Sequence, residues 1–500
     1  MTDMAVTAML LFSVFAFYLW TEKRRAPFLM LAGLAVGLTL LATNSGVIVA
    51  PILLSLAVAD TFLLRDDDQE RLKHLGRSVL SVVLIFVIAF GVLWMGYGMR
   101  YVAHSGPVLG GEPPSSLPSG SRIGRAFLAF EKYHLLPQAY LEGFACDPHA
   151  LLNVVSIQQD HLVILFGSAW KSVPLNLLIR TTEAFLALSV LSIGGLAFCV
   201  SKYRRECVFL LVTITVFVTA FLRASWNGGM RHFMPVLPFL LIITAAGLYE
   251  FANRIRWAKY ALVCLLFLHA ASSLSAFPNY LSYANAYWGG PRHAFKYLGG
   301  TDLGQSYFQV REYRQKHPEG ECWVFTDWQW NPQIYEPDCH ALGFWQPEMV
   351  PSQLHGTIIV SNSLVSRNHP GLALNIGDSE RAAIADLFRG APPADYIGGG
   401  TMVVFKGDFD ASALSSISAS YRALLEIDQF QLDDALRLTD YAVRLSPNNM
   451  HAHFARGKAL FKIGRPFEGR QEIELCRQLA VKDSALSTAV GFFDDILRLN

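Results

Sequence analysis

Eight apolar runs dominate this chain, at 4–20, 28–43, 46–64, 78–98, 184–200, 207–222, 234–251 and 257–277. About 17–25 apolar residues span an ~30 Å hydrocarbon layer as a helix. The stretch 28–64 is long enough for two helices, and Asn44, Ser45 and Gly46 break it into a pair joined by a tight turn. The competing possibility is a large soluble core with buried helices. The connections argue against it. Basic residues mark cytoplasmic loops. Here Lys23-Arg24-Arg25, the stretch from Arg65 to Arg77, the group Lys202, Arg204 and Arg205, and the group Arg254, Arg256 and Lys259 follow the first, third, fifth and seventh runs. Alternate connections fall on one side. The other side receives the turn at 44–46, the long loop 99–172, the loop from Ser225 to His232 and everything after 277. The expected topology has the N-terminus and a large C-terminal region outside, in a cell inner (plasma) membrane. The chain opens on Met-Thr-Asp with no basic stretch before the first apolar run, so a signal peptide is not expected. An outside start is more natural if a further helix precedes it.

Composition agrees. Charged residues make up 16%, against about 25% in ordinary soluble domains, and mean hydropathy is +0.32. Disorder is excluded, because it needs few apolar residues and high net charge. A net charge of +1 argues against a nucleic-acid partner, which calls for a basic excess. Seven cysteines in 500 residues are too few for a disulfide scaffold. Cys199, Cys207 and Cys264 read as membrane-packing residues.

Residues 278–412 change character. Trp, Pro and charge rise, and β-type runs occur at Cys322–Phe325, Thr357–Val360 and Thr401–Phe405, with helical patterns at Tyr307–Lys316 and Glu380–Arg389 between them. This predicts a small extracytoplasmic α/β domain. Cys322 and Cys339 fall within it, and a disulfide between them suits an oxidising compartment. Residues 416–483 carry a 34-residue repeat that pairs Ala423 with Gly457, Ala435 with Gly469 and Ala442 with Cys476. Small residues at that spacing resemble tetratricopeptide repeats. Glu426 stands where the usual aromatic does, and 484–500 is expected to cap the array. An ordinary pair of helical hairpins is the alternative. Either way, 413–500 suits docking or spacing better than catalysis. The chain thus divides into a membrane domain at 1–277, an α/β domain at 278–412 and helical repeats at 413–500.

There is no P-loop, GxGxxG, HExxH or CxxC, and no metal-ligand spacing, so an ATPase, a dehydrogenase and a zinc protease are poorly supported. No cofactor can be read from the sequence. Charged residues within the apolar runs are too sparse for a proton pump. No inverted repeat is visible, which lowers a transporter or lipid-carrier flippase. Polar residues cluster instead on the expected outer side. Glu131, His134, Tyr140, Glu142, Asp147 and His149 lie in the long loop, and Arg231 and His232 close the segment SWNGGMRH. An arginine there either snorkels to headgroups or grips a lipid phosphate with its planar fork. The same pair of readings applies to Lys171 and Arg180.

These residues carry a resemblance. Thr2-Asp3-Met4-Ala5 before an apolar helix resembles the TD motif of the GT-C membrane glycosyltransferases related to protein O-mannosyltransferases (family 39). The stretch 31–54 is similar to their next helix pair, although Thr43 or Asn44 stands where the family often has Lys. Leu136-Pro137-Gln138-Ala139-Tyr140-Leu141-Glu142-Gly143 resembles LPEAYLYG. The most specific match is Asn227-Gly228-Gly229-Met230-Arg231-His232 with Pro235 and Pro238, which resembles NIGIRHxLPxxP. Tyr283-Ala284-Asn285 with Gly289-Gly290-Pro291 resembles YFNELAGGP, and Asp302-Leu303-Gly304-Gln305 resembles DWGQ with Leu303 replacing Trp. The matches run in order through about residue 405.

The resemblance implies an inverting transferase that takes a sugar from a polyprenyl-phosphate donor on the outer face. It implies lipid-phosphate binding by Arg231 and His232 and a donor or acceptor pocket drawing on Tyr140, Glu142 and Asn227. In the family, a helix and an acidic catalytic loop precede the TD motif, so the expected base lies before Met1, and Asp3 is a weak stand-in. An inactive homologue, acting as a membrane scaffold that binds a protein partner through its repeats, is the alternative.

Overall fold

The computed structural model describes residues 2–64, 70–102, 129–141, 143, 169–223, 230–298, 304–326, 338–341, 349–365, 378–482, 493–494 and 496–497. At some helix ends, Arg231 among them, only the backbone is described. The chain divides into two compact units, Met1–Ser273 and Leu274–Asn500.

All eight apolar runs form helices in the first unit. They are α1 (Thr2–Lys23), α2 (Ala26–Ala42), α3 (Val49–Phe62), α4 (Arg71–Gly96), α6 (Glu183–Lys202), α7 (Arg204–Arg223), α8 (Leu237–Arg254) and α9 (Ala258–Ser275). A further helix, α5 (Ala169–Arg180), begins inside the long loop expected at 99–172. Among the described residues, seven helices are long and apolar enough to cross a membrane, and α2, with 17 residues, is a shorter apolar helix. The break at Asn44–Ile48 is a 3₁₀ turn.

Small residues let these helices approach closely, as helix pairs in lipid require. Gly33 and Gly37, four apart on α2, face α4. A Cβ at Gly33 would lie 2.6 Å from Ile88 Cβ, and one at Gly37 would lie 2.5 Å from Val92 Cβ. Gly195 on α6 abuts the backbone of Gly247 on α8, and a Cβ at Gly247 would lie 2.5 Å from the Ser192 carbonyl oxygen. Ser13 Oγ and Thr39 Oγ1, 3.0 Å apart, join α1 to α2.

The second unit holds α10 (Tyr307–Lys316), β1 (Cys322–Phe325), β2 (His340–Ala341), β3 (Gln353–Ser361), α11 (Asp378–Leu387), β4 (Asp395–Ile397) and β5 (Met402–Asp410). The sheet order is β2-β1-β3-β5-β4. β1 runs parallel to β2 and β3, and β5 runs antiparallel to β3 and β4. Side chains alternate across the strands. Phe325, Ile358, Val360 and Phe405 join one cluster with Ile384 of α11 and Phe388 just after it, whereas Val324, Ile359 and Val404 face Val310 and Tyr313 of α10. The sheet is therefore covered on both faces. Cys322 and Cys339 are disulfide-bonded, with Cα atoms 4.5 Å apart.

Four helices follow, α12 (Ser412–Asp428), α13 (Leu432–Leu445), α14 (Met450–Ile463) and α15 (Pro466–Lys482). The small residues of the 34-residue repeat lie buried where helices meet. Ala423 and Ala435 share one cluster, and Cys476 packs with Phe493 in another. Gly457 and Gly469 face one another, with a Cβ at Gly457 falling 3.2 Å from the Gly469 carbonyl oxygen. Between α14 and α15, the imidazole of His453 lies 2.6 Å from Glu472 Oε2 and 2.8 Å from the Pro447 carbonyl oxygen. Both ring nitrogens face acceptors, which favours the imidazolium. Glu472 holds its pKa above the ordinary value, with burial and Arg456 opposing.

Gly195→Val drives a branched side chain into α8 and should cost about 1–3 kcal/mol by overpacking, read as a lowered thermal midpoint in detergent. An unchanged midpoint would show that the helices are free to separate there. The His453 contribution is fully present below the ordinary imidazole value of about 6.5 and is lost as pH rises through the raised folded value. Amide exchange in α14 and α15, corrected for intrinsic rate, should therefore quicken on going from acidic to mildly alkaline pH. His453→Gln should flatten that dependence.

Candidate functional site

Among the described residues, Asp3, His232 and Tyr140 sit at the end of the helical unit that carries the N-terminus of α1. Asp3 occupies the first turn of α1, where a carboxylate suits the positive end of the helix dipole. Its Oδ1 lies 3.8 Å from His232 Nδ1. His232 belongs to a 3₁₀ segment, Met230–Val236, which leads into α8. Pro235 and Pro238 tolerate the start of a helix, where a missing N–H costs nothing. Phe233 and Val236 of that segment are buried, and the Phe233 ring meets those of Phe217 and Phe221 at 6.3 and 5.5 Å. The anchored aromatic fixes where His232 points. Arg231 precedes it in the same 3₁₀ segment, while Asn227 and Glu142 lie outside the described residues.

Tyr140 belongs to a second group at this end. The segment from Leu135 to Leu141 folds over the C-terminal end of α4. The Trp94 indole donates to the Leu135 carbonyl at 3.1 Å, and Gln138 N donates to the Tyr101 carbonyl at 3.0 Å. The Tyr101 and His134 rings stack 3.9 Å apart. Leu136, Tyr140 and Leu141 are buried in the main core of the bundle. The Tyr140 ring meets Tyr97 edge to face at 6.3 Å. Burial, then Tyr97, pushes the Tyr140 phenol above its ordinary pKa, so its hydroxyl stays protonated at neutral pH. Gly143 abuts the side chain of Asn44, which with Thr43 is one of the two positions where the family of the resemblance often has Lys. The structure thus links Asp3 to His232 and, separately, Tyr140 to Tyr97, with Gly143 against Asn44. Among the described residues, no group of three or more His, Cys, Asp or Glu side chains is placed to hold a metal ion.

A second charged constellation occupies the opposite end, and the sequence did not single it out. Asp60, inside the apolar α3, is fully buried. Its carboxylate lies 2.9 Å from Arg205 Nη2, 3.6 Å from Arg24 Nη2 and 3.9 Å from His74 Nε2. Those partners come from α7, the α1–α2 connection and α4. The Arg205 guanidinium also lies over the Tyr18 and Phe209 rings, at 5.7 and 5.8 Å. Lys202 and Glu250 pair at 2.8 Å at the same end, joining α6 to α8. The available signal was a lone Asp within an apolar run. Such a residue calls for a named partner.

Among the described residues, seven helices long and apolar enough to cross a bilayer mark the chain as membrane-embedded. No family model and no curated protein matches it.

Removing one member of a buried ion pair typically costs about 3–5 kcal/mol, because it strands the others without compensation. Asp60→Asn should therefore lower the thermal midpoint sharply. The double variant with Arg205→Gln should lose less than the sum of the single variants. Strict additivity would mean that Asp60 and Arg205 are not coupled.

Proposed function

We propose that this protein is a GT-C-class glycosyltransferase of the family 39 type. It moves a sugar from a polyprenyl-phosphate donor to an acceptor hydroxyl on the extracytoplasmic face of the inner (plasma) membrane. The observation that carries the proposal is the gathering of motif residues from distant parts of the chain at one end of the bundle. Asp3 and His232 come together from α1 and the approach to α8, and Asn44 and Gly143 from the α2–α3 turn and the long loop. The Cys322–Cys339 disulfide supports an oxidising compartment for the second unit. In this function α2 is the eighth span, short but within the range of about 17–25 residues.

Arg231 and His232 bind the donor phosphate. Arginine's fork matches phosphate oxygens in a bidentate way, and donors set in advance at the departing phosphate lower the barrier where charge develops. The acceptor oxygen attacks the anomeric carbon as the sugar–phosphate bond breaks, which inverts that carbon in one displacement. A base must take the acceptor's proton within hydrogen-bond reach. Asp3 is the weak candidate for it, and Tyr140, Glu142 and Asn227 contribute to the pocket. The helices α12–α15 are tetratricopeptide-like and dock a protein partner.

Radiolabel transfer from polyprenyl-phosphate sugars to hydroxyl acceptors, with protein reconstituted in lipid vesicles, tests the activity. Arg231→Ala should raise the donor Kd about tenfold or more, because a charge-assisted hydrogen bond is worth about 1.5–3 kcal/mol. An unchanged Kd would remove Arg231 from the phosphate site. A catalytically inactive scaffold is the second reading, favoured by the exposed Phe430 and Phe467 on the helical array. Donor binding without any transfer would put it ahead.

A further inference from the structure

The segment that opens the second unit has an unusual surface. Residues 274–301 hold seven aromatic side chains, with Arg292, His293 and Lys296 as potential cations and no Asp or Glu. Ser282, Ala284 and Asn285 turn inward and are buried. The bulkier neighbours therefore face out, with Tyr287 87% exposed, Phe277 72% and Tyr280 52%. The rings adjoin one another: Phe277 with Tyr280 at 6.2 Å, Tyr287 with Trp288 at 5.9 Å, and Trp288 with Tyr297 at 5.1 Å. On α10, Phe308 is 71% exposed, and its neighbour Gln309 lies 3.5 Å from the Asn279 side chain. At these exposures the rings leave roughly 500 Å² of aromatic surface uncovered. Contiguous apolar patches beyond a few hundred Å² mark interaction sites.

We propose that this patch is a membrane-interface anchor. It rests in the headgroup layer of the bilayer that α9 crosses, and it favours anionic phospholipids. Three observations select that occupant. The patch begins immediately after Ser275, where α9 ends, so it is continuous with a span. Its rings are those of the aromatic belts found at bilayer surfaces, where one edge is apolar and the other wet. Its charge is of one sign, and each Lys or Arg near an anionic surface adds about 1 kcal/mol of attraction. The segment is held as a unit. Gly289 and Gly290 turn the chain at φ +84° and +68°, Asn362 Nδ2 donates to the Arg292 carbonyl at 2.7 Å, and the Arg292 guanidinium lies 4.4 Å over the Tyr396 ring. The anchor requires only that α9 spans the bilayer, so it stands apart from the glycosyltransferase proposal.

The test uses the full chain in lipid nanodiscs containing phosphatidylglycerol. Cys146 and Cys264 are replaced by Ser, and a nitroxide is attached at Tyr287→Cys or, as a water-exposed control, at Glu319→Cys. Both sites are exposed, so labelling leaves the fold intact. Oxygen concentrates in the bilayer, and a water-soluble nickel chelate is excluded from it. The ratio of oxygen to nickel collisions at position 287 should exceed that at 319 by roughly tenfold. Equal ratios would place the patch in bulk water and overturn the anchor. Protection from both reagents would mean that protein covers the patch, which overturns it as well.

Discussion

A carboxylate buried among apolar helices cannot be left alone, and the arrangement of the first unit follows from that. Asp60 has no exposed surface, so its charge must be balanced from within the protein. The balance is drawn from three other places in the chain, Arg24, His74 and Arg205. Each must reach the same point, and that fixes how far α1, α4 and α7 can slide against α3. Arg24 accepts a left-handed backbone, with φ +50°, a conformation that costs a non-glycine residue about 1–2 kcal/mol. Its placement beside Asp60 offsets that cost. Glycines then set how near the helices come: Gly33 and Gly37 between α2 and α4, Gly195 and Gly247 between α6 and α8. Charge sets the register and the missing side chains set the spacing.

With one end tied by ion pairs, the other is free to present polar groups. Its charged pair is more open: Asp3 and His232 stand 3.8 Å apart and are both partly exposed, whereas Asp60 is fully buried. A site that must admit a ligand is better served by such groups than by a closed network. The second unit solves a different problem. Its sheet is short and mixed, yet both faces are covered by helices, and a disulfide secures the strand at its edge to the next. Its helical array buries alanine, glycine and cysteine where the helices cross.

The sequence was most informative where a period or a long run was present. All eight apolar runs are helices, the runs at Cys322–Phe325 and Thr357–Val360 lie in strands, the run at Thr401–Phe405 does so from Met402, and the helix at Tyr307–Lys316 matches residue for residue. The Cys322–Cys339 bond and the burial of Cys199 and Cys207 were also legible, whereas Cys264 is exposed on α9. β2 and β4 were not foreseen, because two or three residues carry no period and are strands only through the partner they pair with. The same holds for the sites. The neighbourhood of Asp3 and His232 could be suspected from motifs. Of the Asp60 cluster only the lone Asp within an apolar run was legible, because its partners are scattered and only the fold makes them neighbours. Asn227 and Glu142 lie outside the described residues.

The span of the Asp60 cluster has a consequence for how the chain is made. Arg24 emerges first, Asp60 and His74 soon after, and Arg205 follows Asp60 by 145 residues. A helix leaving the insertion machinery with a lone carboxylate faces a penalty, at most about 2.5–3.5 kcal/mol, the cost at mid-bilayer, for an Asp in the last turn of its helix. Here the first four helices already carry a guanidinium and an imidazole to meet it, so they can leave for lipid as a provisional bundle. The last partner arrives with α7, after the long loop and α6 have been synthesised. Arg205 thus closes an assembly that was viable but unfinished, and the order of synthesis is written into which cation comes last.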